Sequence, residues 1–274
     1  MSLTSLMVYV DAHEAANERI ELAGALADRF DAMLIGMSAL ALRPPVVVDG
    51  VPVDGVLMQA EIKNIKAKLA EKGNWFRAIA AGGRRRLEWR DALDLPTEAL
   101  ARECRSADIV VIGREAGRGD VYSALDPAGA ILKVGRPALV VPPKVKSLSA
   151  EHVVVGWKDT REARRAVYDA LPLLRKAARV LVVEIFEASE KGAAQEQVSD
   201  VVHYLVRHQV RADARVVPLE DGSGAKQLLR SAEDEGADLL VAGAYGHSRL
   251  GEWVFGGMTR ELLAASPICC LLSH

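Results

Sequence analysis

The sequence predicts an α/β protein built as two tandem copies of one unit, each a five-stranded, mostly parallel open sheet with helices on both faces. Three observations predict it. Short apolar runs alternate with amphipathic stretches along the whole chain, the pattern of parallel strands wrapped by helices. That alternation repeats: Ala107-Asp108-Ile109-Val110-Val111-Ile112-Gly113 matches Ala237-Asp238-Leu239-Leu240-Val241-Ala242-Gly243, and Pro137-Ala138-Leu139-Val140-Val141 matches Pro267-Ile268-Cys269-Cys270-Leu271, both at an offset of 130 residues. A repeat this long is a duplicated domain, not a solenoid unit. The length of 274 residues suits two such domains.

The elements follow in order. In the first half, strands are expected near Ser5–Val10, Met33–Ser38, Arg86–Arg90, Asp108–Gly113 and Ala138–Val141. Ala16, Ile20, Ala23, Ala27 and Phe30 form the apolar stripe of a helix after the first strand. Leu42 to Val56 is rich in Pro and Gly and has no counterpart in the second half; it reads as a surface loop or hairpin, or as a lid over a first-half cavity. The stretch from Pro142 to Ser149 suits a linker, so the domains are expected at residues 1–145 and 150–274. In the second half, strands are expected near Val153–Val155, Val180–Ile185, Ala214–Pro218, Asp238–Gly243 and Ile268–Ser273. Ala163, Ala166, Val167, Ala170, Leu171 and Leu174 form the stripe of its first helix, which Asp159 or Thr160 can cap.

Composition excludes several functions. The net charge of −2 gives no global pull toward nucleic acid or an anionic membrane. No apolar run approaches the ~20 residues of a membrane span, and Met1-Ser2-Leu3-Thr4-Ser5 lacks the basic start of a signal peptide. Three cysteines do not make a disulfide framework. A cytoplasmic protein is the expectation. Cys269 and Cys270 are neighbours on a strand, so they point to opposite faces and read as packing residues. His13, His152, His203, His208, His247 and His274 show no metal-ligand spacing, so no metal ligands are assigned. Arg84-Arg85-Arg86 is too short for a nucleic-acid patch. No Ser/His/Asp triad or paired carboxylates can be assembled, so no catalytic residue is assigned either.

The chemistry sits near the C-terminus. Leu239-Leu240-Val241-Ala242 reads as a strand and Glu261 to Ala265 as a helix, and the segment between them carries Gly243, Gly246, Gly256 and Gly257. A Gly-rich turn before a helix lets backbone N–H groups face a phosphate, and the missing side chains allow close approach. The spacing G-x2-G-x9-G is neither a Rossmann nor a Walker fingerprint. It resembles the nucleotide-binding signature of the universal stress protein family, G-x2-G-x9-G-[ST]. Gly257 departs from the family's Ser or Thr, and Thr259 matches a second hydroxyl position. The first half has lost the pattern: Gly246, Gly256, Gly257 and Thr259 correspond to Ala116, Asp126, Pro127 and Gly129. Pro127 has no N–H to offer, and Asp126 would repel a phosphate.

The resemblance covers both halves and implies a Rossmann-like fold in each. It also implies that the last strands of the two halves pair edge to edge, making a pseudo-dimer within one chain; a homodimer of two chains stays open. Ligands of open sheets lie at the carboxyl ends of strands where strand order reverses, here around Gly156–Thr160, the Ile185-Phe186 strand end and Gly243–Gly246. By the resemblance, Gly243, Gly246, Gly256, Gly257 and Met258 would offer backbone to phosphates and ribose, Thr259 its hydroxyl, and His247 and Ser248 would stand at the loop. The family's nucleotide-contacting Asp is Asp11 in the first half; the second half has Lys158 there, with Asp159 next to it. The implied function is a stress-response module that binds ATP or a related adenine nucleotide, with or without Mg²⁺, in its second half. The alternatives are a slow Mg²⁺-dependent ATP hydrolase and a nucleotide-free scaffold or carrier of another small ligand.

Overall fold

All ten apolar runs expected to be strands are strands. A computed structural model describes residues 2–11, 15–44, 47–48, 51–52, 55–83, 85–114, 120–220, 223–246 and 257–274. The first half contains β1 (Ser5–Tyr9), α1 (Ala15–Phe30), β2 (Met33–Ala39), β3 (Val47–Val48), β4 (Val51–Pro52), α2 (Gly55–Ala80), β5 (Leu87–Ala92), α3 (Pro96–Glu103), β6 (Ile109–Gly113), α4 (Pro127–Lys133) and β7 (Ala138–Val141). The second contains β8 (His152–Trp157), α5 (Arg161–Leu174), β9 (Arg179–Phe186), α6 (Lys191–Arg207), β10 (Ala212–Pro218), α7 (Gly224–Asp234), β11 (Leu239–Gly243), α8 (Gly257–Ala265) and β12 (Cys269–Ser273).

Ten strands form one sheet in the order β10-β9-β8-β11-β12-β7-β6-β1-β2-β5. Each half therefore runs 3-2-1-4-5, the doubly wound order, and every pairing within a half is parallel. The halves join through β7 and β12, which pair antiparallel with Leu139 opposite Leu271. That pairing covers two edges that would otherwise be open to other chains. The outer edges, β5 and β10, carry Glu88, Arg90 and Asp91, and Asp213 and Arg215, charges that discourage further strand addition.

The central strands are continuous Val/Ile/Leu runs because both sheet faces are covered. One face packs against α1, α2, α5 and α6, the other against α3, α4, α7 and α8. Cys269 and Cys270 point into opposite cores, and burial raises their thiols to about 12 and about 11. The same carboxylate clamp recurs in each half. Asp108 accepts from the Thr4 N–H (2.7 Å), the Thr4 hydroxyl and the Ser5 N–H, and Asp238 accepts from the Ser149 N–H (2.8 Å), the Ser149 hydroxyl and the Ala150 N–H.

Two local expectations are refined. Thr160, not Asp159, caps α5: its hydroxyl accepts from the Ala163 N–H at 3.2 Å, while Asp159 pairs with Arg164 at 3.1 Å. Helix α8 begins at Gly257, four residues ahead of the apolar run that marks it in the sequence. The Pro- and Gly-rich segment holds the antiparallel pair β3–β4. No helix among the described residues is long and apolar enough to cross a membrane.

Candidate functional site

Strand order reverses between β8 and β11: β8 connects onward to β9 on one side, and β11 lies on the other. A crevice is expected outside the carboxyl ends of these strands. A cleft of about 320 Å³ lies there, within the size range of small-molecule sites. Gly156 lets Leu228 of α7 pack directly on β8 at the cleft, since a Cβ there would come within 2.6 Å of Leu228 Cδ2. Gly243 ends β11 and lets the first turn of α5 close over it, since a Cβ at 243 would lie 2.5 Å from the Ala163 backbone nitrogen. Alternation along β9 brings Val183 and Ile185 to the same face as Gly156, and Met258 and Thr259 come from the start of α8.

Of the residues singled out from sequence, Gly156, Lys158, Gly243, Gly246, Gly257, Met258 and Thr259 line this cleft. Asp159 does not; it faces a second cavity between α5 and α6. His247 and Gly256 lie outside the described residues, as do Ser248, Ala116, His13 and Arg84. Thr259 is buried, and its hydroxyl accepts from the Tyr245 N–H at 3.1 Å. It thereby holds Tyr245, whose φ of 55° is left-handed, beside Gly246. A Cβ on Gly257 would meet nothing within 4 Å among the described residues, so the departure from Ser or Thr leaves room beside them at the helix start.

Trp157, Thr160 and Ile185, from the segments expected around the crevice, line it too, and sequence reasoning missed Val183, Leu228, Ala163, Ala242 and Tyr245, which complete the lining. Val183 was legible in the alternation of β9. Leu228 reaches the cleft from α7 through tertiary packing that no local pattern announces.

Lys158 lies in a carboxylate-rich corner. Its Nζ is 3.1 Å from Glu190 and 3.8 Å from Glu184. Glu184 is 2% exposed, and burial pushes its carboxyl up to about 7; Lys158 pulls it down, while Glu190 and Asp159 add to the rise. Among the described residues, no group of three or more His, Cys, Asp or Glu converges as a metal site.

The same place in the first half is filled. Val8 pairs with Val111 as Val155 pairs with Val241, so Tyr9 stands where Gly156 stands. The Tyr9 ring is fully buried, and burial raises its phenol well above the ordinary tyrosine range. Arg19 binds Asp11 at 2.6 Å and the Tyr9 carbonyl at 3.1 Å, and a side chain on Gly113 would collide with its guanidinium. Asp126 accepts from the N–H groups of Ala128 and Gly129, both at 3.1 Å, so its own carboxylate takes the donors at the start of α4.

Residues 149–274 match the family model of the Universal stress protein family. A universal stress protein from Archaeoglobus fulgidus DSM 4304 superimposes with a TM-score of 0.69 at 14% identity, covering 98% of this chain and 95% of that one. A functionally unknown protein from Pseudomonas aeruginosa PAO1 superimposes with a TM-score of 0.57 at 11% identity, covering 99% and 92%. At these identities the likeness is one of fold, and it extends over both halves. A search of curated proteins finds no sequence match.

Proposed function

We propose that this chain, whose residues 149–274 match the family model of the Universal stress protein family, binds an adenine nucleotide, ATP in the first instance, in its second half, in the cleft between β8, β9, β11 and α8. The protein then acts as a ligand-responsive stress module of two domains, residues 1–145 and 150–274, rather than as a dedicated enzyme. One observation carries this reading: the cleft opens at the strand-order reversal, and Gly156, Gly243, Gly246 and Gly257 all line it.

The lining divides by chemistry. Val183, Ile185, Leu228 and Met258 offer an apolar bed for the base and sugar. The backbone N–H groups in the first turn of the nine-residue helix α8, which have no partner within the helix, suit phosphate together with the positive end of its dipole. Lys158 can add its charge only by leaving Glu190 and Glu184, so it acts as a tuning group rather than a fixed phosphate ligand. The first half does not share the function, because Tyr9 fills its floor and Asp126 occupies its helix donors. Ligand at 100 times its dissociation constant would stabilise the binding domain by about 2.7 kcal/mol, enough to shift a population of partner-binding states.

Calorimetric titration with ATP and Mg²⁺ tests this. One site per chain is expected. Two equivalent sites would contradict the role given to Tyr9 and Asp126, and no heat at millimolar ATP would leave the scaffold or carrier reading. Phosphate release above background in the same sample would move the protein to the hydrolases.

A further inference from the structure

On the sheet face opposite the nucleotide cleft, α5 and α6 leave a cavity of about 480 Å³ over the end of β8. Three aromatic side chains contribute to it: Trp157 from β8, Tyr168 from α5 and Tyr204 from α6. Val167 and Val201 are buried beneath it, and Asp159, Arg164 and Asp200 stand exposed around it. The first half closes the corresponding space. By the β5 and β10 registers, Val201 stands 125 residues after Phe76, just as Ala212 follows Leu87. The Phe76 ring packs so tightly on β2 that a Cβ on Gly36 would lie 2.7 Å from it. The second half has Val182 and Val201 in place of that glycine and ring, and the space stays open.

Two features say what the cavity would take. Trp157 is 9% exposed, and its indole Nε1–H is shut off from solvent with no acceptor. A buried donor without a partner is costly, so a small turn of the indole that brings Nε1–H to an acceptor on a ligand in the cavity would be favoured. The second feature is charge. Asp159 and Arg164 neutralise each other at 3.1 Å, and Gln197 turns its amide toward Glu184 at 3.3 Å. Asp200 has no ion-pair partner among the described residues. What remains is one carboxylate among three aromatic side chains, an arrangement that attracts an alkylated ammonium through the ring quadrupoles and the negative charge together. An anion would meet Asp200.

We infer that this cavity is a second ligand site, specific for a small organic ammonium cation that carries a hydrogen-bond acceptor for Trp157 Nε1–H. It does not rest on the nucleotide reading; Trp157 lines both spaces, so Tyr204 and Asp200, which line this one and not the nucleotide cleft, localise the response.

The probe is choline, a quaternary ammonium with a hydroxyl two carbons away, and the control is its uncharged isostere 3,3-dimethylbutan-1-ol. The full chain is labelled with ¹⁵N at tryptophan, and the Trp157 indole signal is identified by its loss in Trp157→Phe. Choline should shift that signal saturably, and the isostere should not. Tyr204→Ala and Asp200→Asn should each weaken choline about tenfold. An equal response to the isostere would make this an apolar groove and overturn the proposal, as would no response at tens of millimolar choline. If Trp157→Phe fails to fold, Asp200→Asn decides alone, because its side chain is exposed: an unchanged choline response in that variant overturns the assignment.

Discussion

Tyr9 and Gly156 hold the same register position in the two halves of the sheet, and the one is a buried phenol where the other is the bare floor of a cleft. The two copies of the fold thus differ at this position, Tyr9 and Asp126 together filling the place in the first half that is a cleft in the second. Gly156→Tyr should copy the first half into the second. It should remove ATP binding while costing about 1–3 kcal/mol, because Leu228 must give way. Calorimetry and thermal melting read the two effects separately, and a folded variant that binds ATP like the parent would mean the ligand lies elsewhere.

The reverse change does not make a site. Tyr9→Gly deletes a fully buried ring, which costs about 3–5 kcal/mol, and Asp126 still accepts from Ala128 and Gly129 at the helix start. The stoichiometry of ATP should remain one per chain in any such variant that folds. A second site appearing in the titration would show that Tyr9 alone closes the first half.

Gly257→Ser tests the departure from the family pattern. A Cβ at 257 meets nothing within 4 Å among the described residues, so the serine clashes with none of them and adds a hydroxyl at the start of α8. ATP affinity should rise by about three- to tenfold, the effect of one added hydrogen bond. Weaker binding would place the phosphates away from α8.

Much of this was legible in the sequence for a physical reason. The central strands, buried on both faces, are written as unbroken apolar runs, while the edge strands β5 and β10 are interrupted by charges and were placed by the alternation of elements along the chain; the pairing of β7 with β12 followed from the family resemblance. Gly243, Gly246 and Gly257 stood out because glycine marks close approach of backbone. Leu228 and Tyr245 did not, because their place at the cleft depends on how α7 and the segment after β11 pack. Asp159 was grouped with the cleft for its proximity in sequence to Lys158, yet it faces the other side of the sheet, because Thr160 takes the cap and Arg164 takes Asp159. The charge swap from Asp11 to Lys158 could be read, but its consequence could not until Glu184 and Glu190 were found beside the amine.

Gly243→Ala probes the closure of α5 over β11. The new methyl would lie 2.5 Å from the Ala163 backbone nitrogen, and a backbone atom cannot step aside as a side-chain tip can. The helix must shift, at a cost of about 1–3 kcal/mol, and the melting temperature should fall by several degrees. An unchanged melting temperature would show that the contact is slack.

Glu184 gives the protein a pH dependence of definite sign. Burial pushes its carboxyl up to about 7, against about 4.3 in an unfolded chain. Between those values the folded state binds more protons than the unfolded state, so this group's contribution to stability falls as pH rises through that window and is level above it. Glu184→Gln keeps the shape, removes the titration and leaves the other ionisable groups in place, so the difference between variant and parent isolates the one carboxyl. Near pH 4 Glu184 is mostly neutral in the folded and the unfolded chain alike, and the difference between the two proteins should be smallest there. By pH 8 the parent carries a buried charge held only by Lys158 at 3.8 Å and the Gln197 amide, and the variant should melt several degrees higher, a gain on the order of 1–3 kcal/mol. Melting curves that run parallel from pH 5 to 8 would mean that Lys158 compensates the charge fully. Lys158 would then be committed to Glu184 as a structural partner and could not serve the phosphates, which would leave nucleotide binding to the glycines and the start of α8.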